Sequence, residues 1–318
     1  MKKIKTTVGL IVCVTMFSAF ALGSGSSDTG SSADKEISSV ETSNSDGSEN
    51  DKSEADTTSL NVGNSDNKPS SDTVTVEEQV VLDQNDVKVT VTGMDTGLFG
   101  PQLKLLIENN SSQALTFQVR DASVNGYMAD TMISEDVAAG KKSNTDITFT
   151  ASGLAECGIT TFTDMEFKFH IFDSGSWDTY LDSDAITVKT SADGSHIQEI
   201  DDSGEVFYDA NGIKIIGKGL SAKDSVFGPG LIVYIENNTD KGFTVQVRDT
   251  SVNGFMIDTS MSQDVVAGKR AITAVTFFSS SLEENGITDI ESIETSFHVF
   301  EMEGWDTIVD TDPITINF

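Results

Sequence analysis

Cysteine is nearly absent from this chain: there are two, Cys13 and Cys157. Cys13 sits in a leading segment that export would remove, which leaves one thiol. A lone thiol forms no intrachain disulfide and no cysteine metal cluster. Histidine is scarce too, with three in all, His170, His196 and His298. A metalloenzyme or a histidine-based triad has little to work with, and nothing fixes two carboxylates in a cleft for hydrolysis. The chain reads as non-enzymatic, and no cofactor is expected. Basic residues are few: 20 Lys and Arg face 51 Asp and Glu, a formal net charge of −31. Such a chain repels nucleic acid, whose phosphates need Lys and Arg, and gains nothing from anionic membrane surfaces. Any small-ion partner should be a cation.

The apolar stretch Val8–Leu22 is short for a membrane span, which takes about 20 residues. Lys2, Lys3 and Lys5 precede it, and small residues (Ala19-Phe20-Ala21 or Ala21-Leu22-Gly23) end it. This is the pattern of a secretory signal peptide over residues 1–23, with an uncleaved anchor as the rival. The mature chain is therefore expected outside the cell, free or retained at its surface, with no transmembrane segment. From 24 to 73 there is no Phe, Trp or Tyr, and eleven acids face three lysines. That composition cannot offset its ordering entropy and predicts a disordered tether, with a reach of roughly 40 Å. Ala21-Leu22-Gly23-Ser24 resembles a lipid-attachment box with serine where the cysteine belongs. Phe318 follows a strand-like run, without a sorting motif or apolar tail.

Past the tether the chain repeats itself. "QVRDASVNGYM" (118–128) returns as "QVRDTSVNGFM" (246–256), and at this offset Phe99–Val188 aligns without a gap to Phe227–Ile316, roughly half of it identical. Upstream the offset shortens by two residues. So long a period marks a duplicated whole domain. Within a copy, Val87–Val91 and Glu166–Ile171 alternate as half-buried strands do. Seven or so short strands per copy, with turn residues every 8–12 positions, predict an antiparallel β-sandwich. The boundaries follow as 74–190, a linker at 191–204, and 205–318. The linker should let the copies reorient unless Ile197 and Ile200 pack into an interface. One helical turn interrupts each copy, with Ser152 or Ser280 as its cap and Gly158 or Gly286 as its end. Cys157 has Asn285 as counterpart and reads as packing.

Three features carry a resemblance: the Asn-Gly hairpin with its following aromatic, the loops "DVAAGK" (136–141) and "DVVAGK" (264–269), and a closing Ile-Thr-Val strand. Residues 77–189 and 205–317 resemble the immunoglobulin-like domains of unknown function carried by secreted and lipid-anchored proteins of Gram-positive bacteria. The resemblance implies an all-β fold of two tandem immunoglobulin-like sandwiches, and no catalytic residues.

Asn-Gly between alternating runs is a strong hairpin signal, because a type I′ turn needs positive φ at both central residues. Its first reading is therefore register. Its second is binding: Asn125, Gly126, Tyr127 and Met128, with Asn253, Gly254, Phe255 and Met256, place an aromatic beside an adaptable methionine at a loop end. An unidentified protein or cell-envelope component is the partner such tips would hold. Arg120-Asp121 and Arg248-Asp249, as strand neighbours, should point to opposite faces and meet partners on adjacent strands. Trp177 and Trp305, each in Trp-Asp-Thr, are expected to plug the open end of a sandwich. A sugar platform, which needs exposed rings, is the rival. Asp178, Asp182 and Asp184, mirrored by Asp306, Asp310 and Asp312, supply half the oxygens calcium wants, without an Asp-x-Asp-x-Asp-Gly loop; aspartates are also ordinary turn residues. His170 and His298 occupy matched positions and read as surface or packing residues.

Overall fold

Strict alternation makes the strands. Along Pro101–Asn109 every second residue is buried, with Leu103, Leu105 and Ile107 turned inward and Gln102, Lys104 and Glu108 outward. Side chains on a strand alternate faces, so this pattern seats one face on a core. A computed structural model describes residues 74–221 and 227–318; the expected signal peptide (1–23) and tether (24–73) lie outside them. The described chain is all-β with two short helices.

The first copy runs β1 (Gln79–Gln84), β2 (Val87–Thr96), β3 (Pro101–Asn109), β4 (Leu115–Val124), β5 (Tyr127–Met128), β6 (Thr131–Met132), β7 (Glu135–Val137) and β8 (Lys141–Phe149). Helix α1 (Ala151–Glu156) follows, then β9 (Asp164–Asp173), β10 (Thr179–Asp182) and β11 (Ile186–Lys189). The second copy repeats the series as β12 (Glu205–Ala210), β13 (Ile213–Leu220), β14 (Gly230–Asn237), β15 (Phe243–Val252), β16 (Phe255–Met256), β17 (Thr259–Ser260), β18 (Ser262–Val265) and β19 (Arg270–Phe277). Helix α2 (Ser279–Glu284), β20 (Ser292–Glu301), β21 (Thr307–Asp310) and β22 (Ile314–Asn317) close it. Hairpin edges such as β5 and β6 are two-residue pieces, which is why the strands outnumber the seven or so expected.

Each copy has two layers. In the first, the sheet β1-β2-β3-β8-β6 faces β10-β9-β4 across one buried cluster that includes Val89, Leu105, Phe117, Phe149, Phe167 and Phe169. In the second, β12-β13-β14-β19 faces β16-β15-β20-β21 across Ile215, Val233, Val245, Phe277 and Phe297. Beneath one end of each core lies a buried asparagine. Asn109 Nδ2 donates to the Gln113 and Val137 carbonyls, both at 2.8 Å, and its Oδ1 accepts from Ser111. Asn237 repeats the arrangement with Lys241, Val265 and Thr239. The turn that follows β3 or β14 is thus held from inside, each asparagine donating to one buried carbonyl, Val137 or Val265, and to one at the rim, Gln113 or Lys241.

The turns Phe99-Gly100-Pro101 and Phe227-Gly228-Pro229, identical in the two copies, have a steric cause. A Cβ on Gly100 would lie 1.9 Å from the Phe149 carbonyl oxygen, and one on Gly228 2.1 Å from that of Phe277. The close approach lets the Phe99 carbonyl accept the Ala151 N–H at 2.9 Å, and the Phe227 carbonyl the Ser279 N–H at 3.0 Å. These carbonyls serve the helix starts. The expected caps Ser152 and Ser280 do not: the cap positions are Thr150 and Phe278, with no side-chain cap bond. Gly158 and Gly286 do follow the helices at positive φ.

Among the described residues all strand pairs are antiparallel but one. Strand β5 of the first copy lies parallel to β19 of the second, with Tyr127 opposite Arg270. This bridge carries the sheet of one copy into the next, giving eleven strands in all, and the described residues belong to one compact unit. Against the sequence expectation of copies free to reorient, the linker is clasped. Lys218 Nζ meets Asp201 Oδ2 at 2.8 Å, Lys214 Nζ meets Asp202 Oδ2 at 2.9 Å, and Asn125 Nδ2 donates to Gln198 Oε1 at 3.0 Å. Ile197 and Ile200 remain exposed; other residues make the joint.

Candidate functional site

Both Asn-Gly tips form the turn that the sequence predicts. Asn125 and Gly126 have φ of 51° and 80°, and Asn253 and Gly254 have φ of 51° and 83°. Each asparagine also anchors its hairpin to the start of the neighbouring strand in the same sheet. Asn125 Oδ1 accepts the Thr163 N–H at 2.8 Å, and Asn253 Oδ1 accepts the N–H groups of Glu291 and Ser292 at 2.9 and 3.0 Å.

Beyond the turn the copies part ways. The expectation of a water-facing patch at Tyr127-Met128 is corrected: Tyr127 is 1% exposed. It lies in the joint, where the Gly126 carbonyl accepts the Arg270 N–H at 2.9 Å and Met128 packs on the second core. The outward row Ile216–Tyr234–Ile272, set by pairing across β13, β14 and β19, closes over the first copy's apolar cluster. Burial pushes the phenols of Tyr127 and Tyr234 above their ordinary range. The neighbouring Cys157 thiol is pushed up to about 12 by the same desolvation, which makes it an inert packing group. Lys269 Nζ, 3.2 Å from Glu166 Oε1, adds a charge pair between the copies. At the second tip Phe255 and Met256 are 50% and 66% exposed. The two phrases are one local structure in two environments.

The register places a second feature that the sequence reading assigned otherwise. Trp177 and Trp305 plug nothing: they are 74% and 72% exposed. Alternation along β9 sends His170 and Phe172 to the outer face, and the loop after β9 folds back over them. Trp177 stacks on Phe172 with centroids 5.5 Å apart and planes 18° apart, and Phe172 in turn meets His170 at 5.4 Å. The second copy repeats this with Trp305 on Phe300 at 5.5 Å and 17°, and His298 at 5.1 Å. Each histidine is itself held, with Nδ1 2.6 Å from Asp182 or Asp310 Oδ1.

Both tryptophans occupy the left-handed region, at φ of 66° and 64°. For a bulky residue that conformation costs on the order of 1–2 kcal/mol. In the first copy, loop bonds impose it. Asp173 Oδ1 accepts the Gly175 and Ser176 N–H groups at 2.9 and 2.8 Å, and the Asp173 carbonyl accepts that of Trp177 at 2.9 Å. Those donors hold the Asp173 carboxyl below the usual carboxylate range. The loops differ in sequence, Ser174-Gly175-Ser176 against Met302-Glu303-Gly304, yet deliver the same ring pose. The signal was present in the chain: His-x-Phe on one strand face, followed five residues on by Trp-Asp-Thr, in both copies.

The remaining candidates resolve structurally. Among the described residues, no three or more His, Cys, Asp or Glu converge as a metal site. The strand expected to carry Arg120 and Asp121 regularly has a bulge, with Asp121 at φ 56°. That bulge aims Asp121 at Lys168, 2.8 Å away on β9, while Arg248 reaches Asp310 at 3.7 Å.

No family model and no curated protein matches the chain. Similar solved structures include that of the YadV chaperone, at 10% identity and a TM-score of 0.23, over 73% of this chain and 100% of that one. A likeness at that score carries no functional argument. No described helix is long and apolar enough to cross a membrane.

Proposed function

We propose that this chain is a non-catalytic extracellular binding module: two immunoglobulin-like sandwiches behind a signal peptide and an acidic lead, of the kind borne by secreted Gram-positive proteins. The partner is a protein or a component of the cell envelope, held at loop ends. One observation carries the reading. The chain's two tryptophans both stand in solvent at strained φ, stacked on a phenylalanine, once per copy. A buried pose would satisfy so large an apolar ring better, and strain held twice in exposed rings points to contact. Duplication suits binding, because linked sites gain avidity without new contacts.

Binding at the hairpin tips is reduced to the second copy, since the joint consumes Tyr127. That joint favours a second reading, a rigid spacer, because Tyr127 and the row Ile216–Tyr234–Ile272 lock one copy to the next. A calcium-stabilised stalk is its variant, and it predicts a melting temperature that rises with millimolar calcium. Co-sedimentation of the full chain with purified Gram-positive cell walls separates binding from spacing. Wild type should pellet with the walls, and the double variant Trp177→Ala, Trp305→Ala should stay in the supernatant. Equal pelleting of the two would end the binding reading.

A further inference from the structure

We infer that each Trp–Phe–His stack is a sugar platform, and that its ligand is an uncharged, equatorially linked pyranose chain. The inference rests on the binding reading above and names the ligand class. A pyranose is amphipathic: its axial C–H groups form a flat apolar face, and its hydroxyls project around the rim. The stack answers the first need. Phe172 covers one side of Trp177 at 18° and leaves the other side in solvent, and Phe300 does so for Trp305 at 17°. The ring is held before any ligand arrives, so little side-chain freedom is lost on binding.

The neighbouring strands answer the second need. Cross-strand partners share a face, and Thr116 pairs with Phe172, Gln118 with His170, and Asp136 with Thr116. The second copy sets Thr244, Gln246 and Asp264 in the same positions. Each buried threonine is spent on its aspartate, so the half-buried amide of Gln118 or Gln246 is what stands beside the rings, supplying both the donor and the acceptor that ring hydroxyls require. A pocket of a few aromatic faces and a few placed polar groups is the usual chemistry of small-molecule recognition.

Charge narrows the class. A net −31 chain disfavours an anionic glycan. A cationic peptide could also sit on tryptophan, but the carboxylates here have partners of their own. Asp136 accepts from Thr116 at 2.5 Å and Asp264 from Thr244 at 2.5 Å, while Asp182 and Asp310 each hold a histidine. A protein hot spot is normally ringed by further buried contacts, whereas here a single ring is ringed by polar groups. Equatorial linkage is the form that leaves successive sugar rings flat and open to an aromatic face.

The chain reports on itself, because its only two tryptophans are the two platforms. Cellotetraose and chitotetraose are titrated into the full chain to about 10 mM, with tryptophan emission and calorimetric heat as readouts. A saturable emission change is expected with at least one of them. Trp177→Ala and Trp305→Ala should each keep about half the sites, and the double variant should give no heat. Gln118→Ala with Gln246→Ala should weaken binding about tenfold while leaving the free emission unchanged. Silence with both sugars overturns the inference. So does wall binding that disappears when the walls are first stripped with trypsin, or an emission change with tetralysine alone. In those two cases Trp-dependent binding survives and only the ligand class falls.

Discussion

Tyr127→Ala and Phe255→Ala delete the same aromatic position from the two copies of one repeated phrase, and they should differ greatly in cost. Tyr127 is 1% exposed and belongs to one buried cluster with Cys157 and the second copy's Ile216 and Tyr234; Phe255 is 50% exposed. A buried aromatic ring removes about 150–200 Å² from water, which at about 25 cal/mol/Å² is about 4 kcal/mol. That agrees with the ~3–5 kcal/mol measured when large aromatics in cores become alanine. For Phe255, at 50% exposure, the transfer gain on the same scale is about half, about 2 kcal/mol, and no sealed cavity is left because water fills an open site. The gap of about 2 kcal/mol corresponds to an equilibrium change of roughly thirtyfold. Urea unfolding of the full chain, followed by far-UV circular dichroism, reads it as midpoint shifts. Because Tyr127 also ties the copies together, its variant should broaden or split the transition, and Phe255→Ala should not. Equal shifts, or a larger one for Phe255→Ala, would refute the assignment of the first tip to the joint.

Three further outcomes follow from the same physics. Asn109→Ala strips the buried Val137 carbonyl of its side-chain donor and should cost about 1–3 kcal/mol in urea melts, with Asn237→Ala, which serves the Val265 carbonyl, costing a similar amount. The Cys157 thiol, pushed up to about 12 by burial, should resist iodoacetamide at about pH 8 in the native chain and react fully in urea, as read by mass spectrometry. Asp201 is held below the usual carboxylate range, first by the Lys218 ammonium and then by Ser203. A depressed folded value stabilises above the unfolded one and is lost as pH falls. The stability gap between wild type and Asp201→Asn should therefore hold steady at neutral pH and close on acidification below about pH 4; a gap that widens in acid would contradict the clasp.

Much of the fold was legible because its signals are local. Asn-Gly specified positive φ in both hairpins, and alternation along Val87–Val91 and Glu166–Ile171 specified strands with one face on a core. The helix caps were misread because the satisfying carbonyls, Phe99 and Phe227, come from a loop some fifty residues away in the chain. The tryptophans were misread because size argues for burial on average, whereas here a tight loop and a phenylalanine beneath fix each ring outward.

By itself, then, the sequence determined an all-β chain written twice, with its turns and its inward residues, since these depend on neighbours one to four positions away. Which copy of the phrase is buried was decided by the tertiary structure alone. The row Ile216–Tyr234–Ile272 receives the first tip, while pairing puts Thr90, Leu106 and Asn144 in the matching row of the first copy, a more polar row. Burial depends on both of the surfaces that meet, and no single stretch of chain carries both.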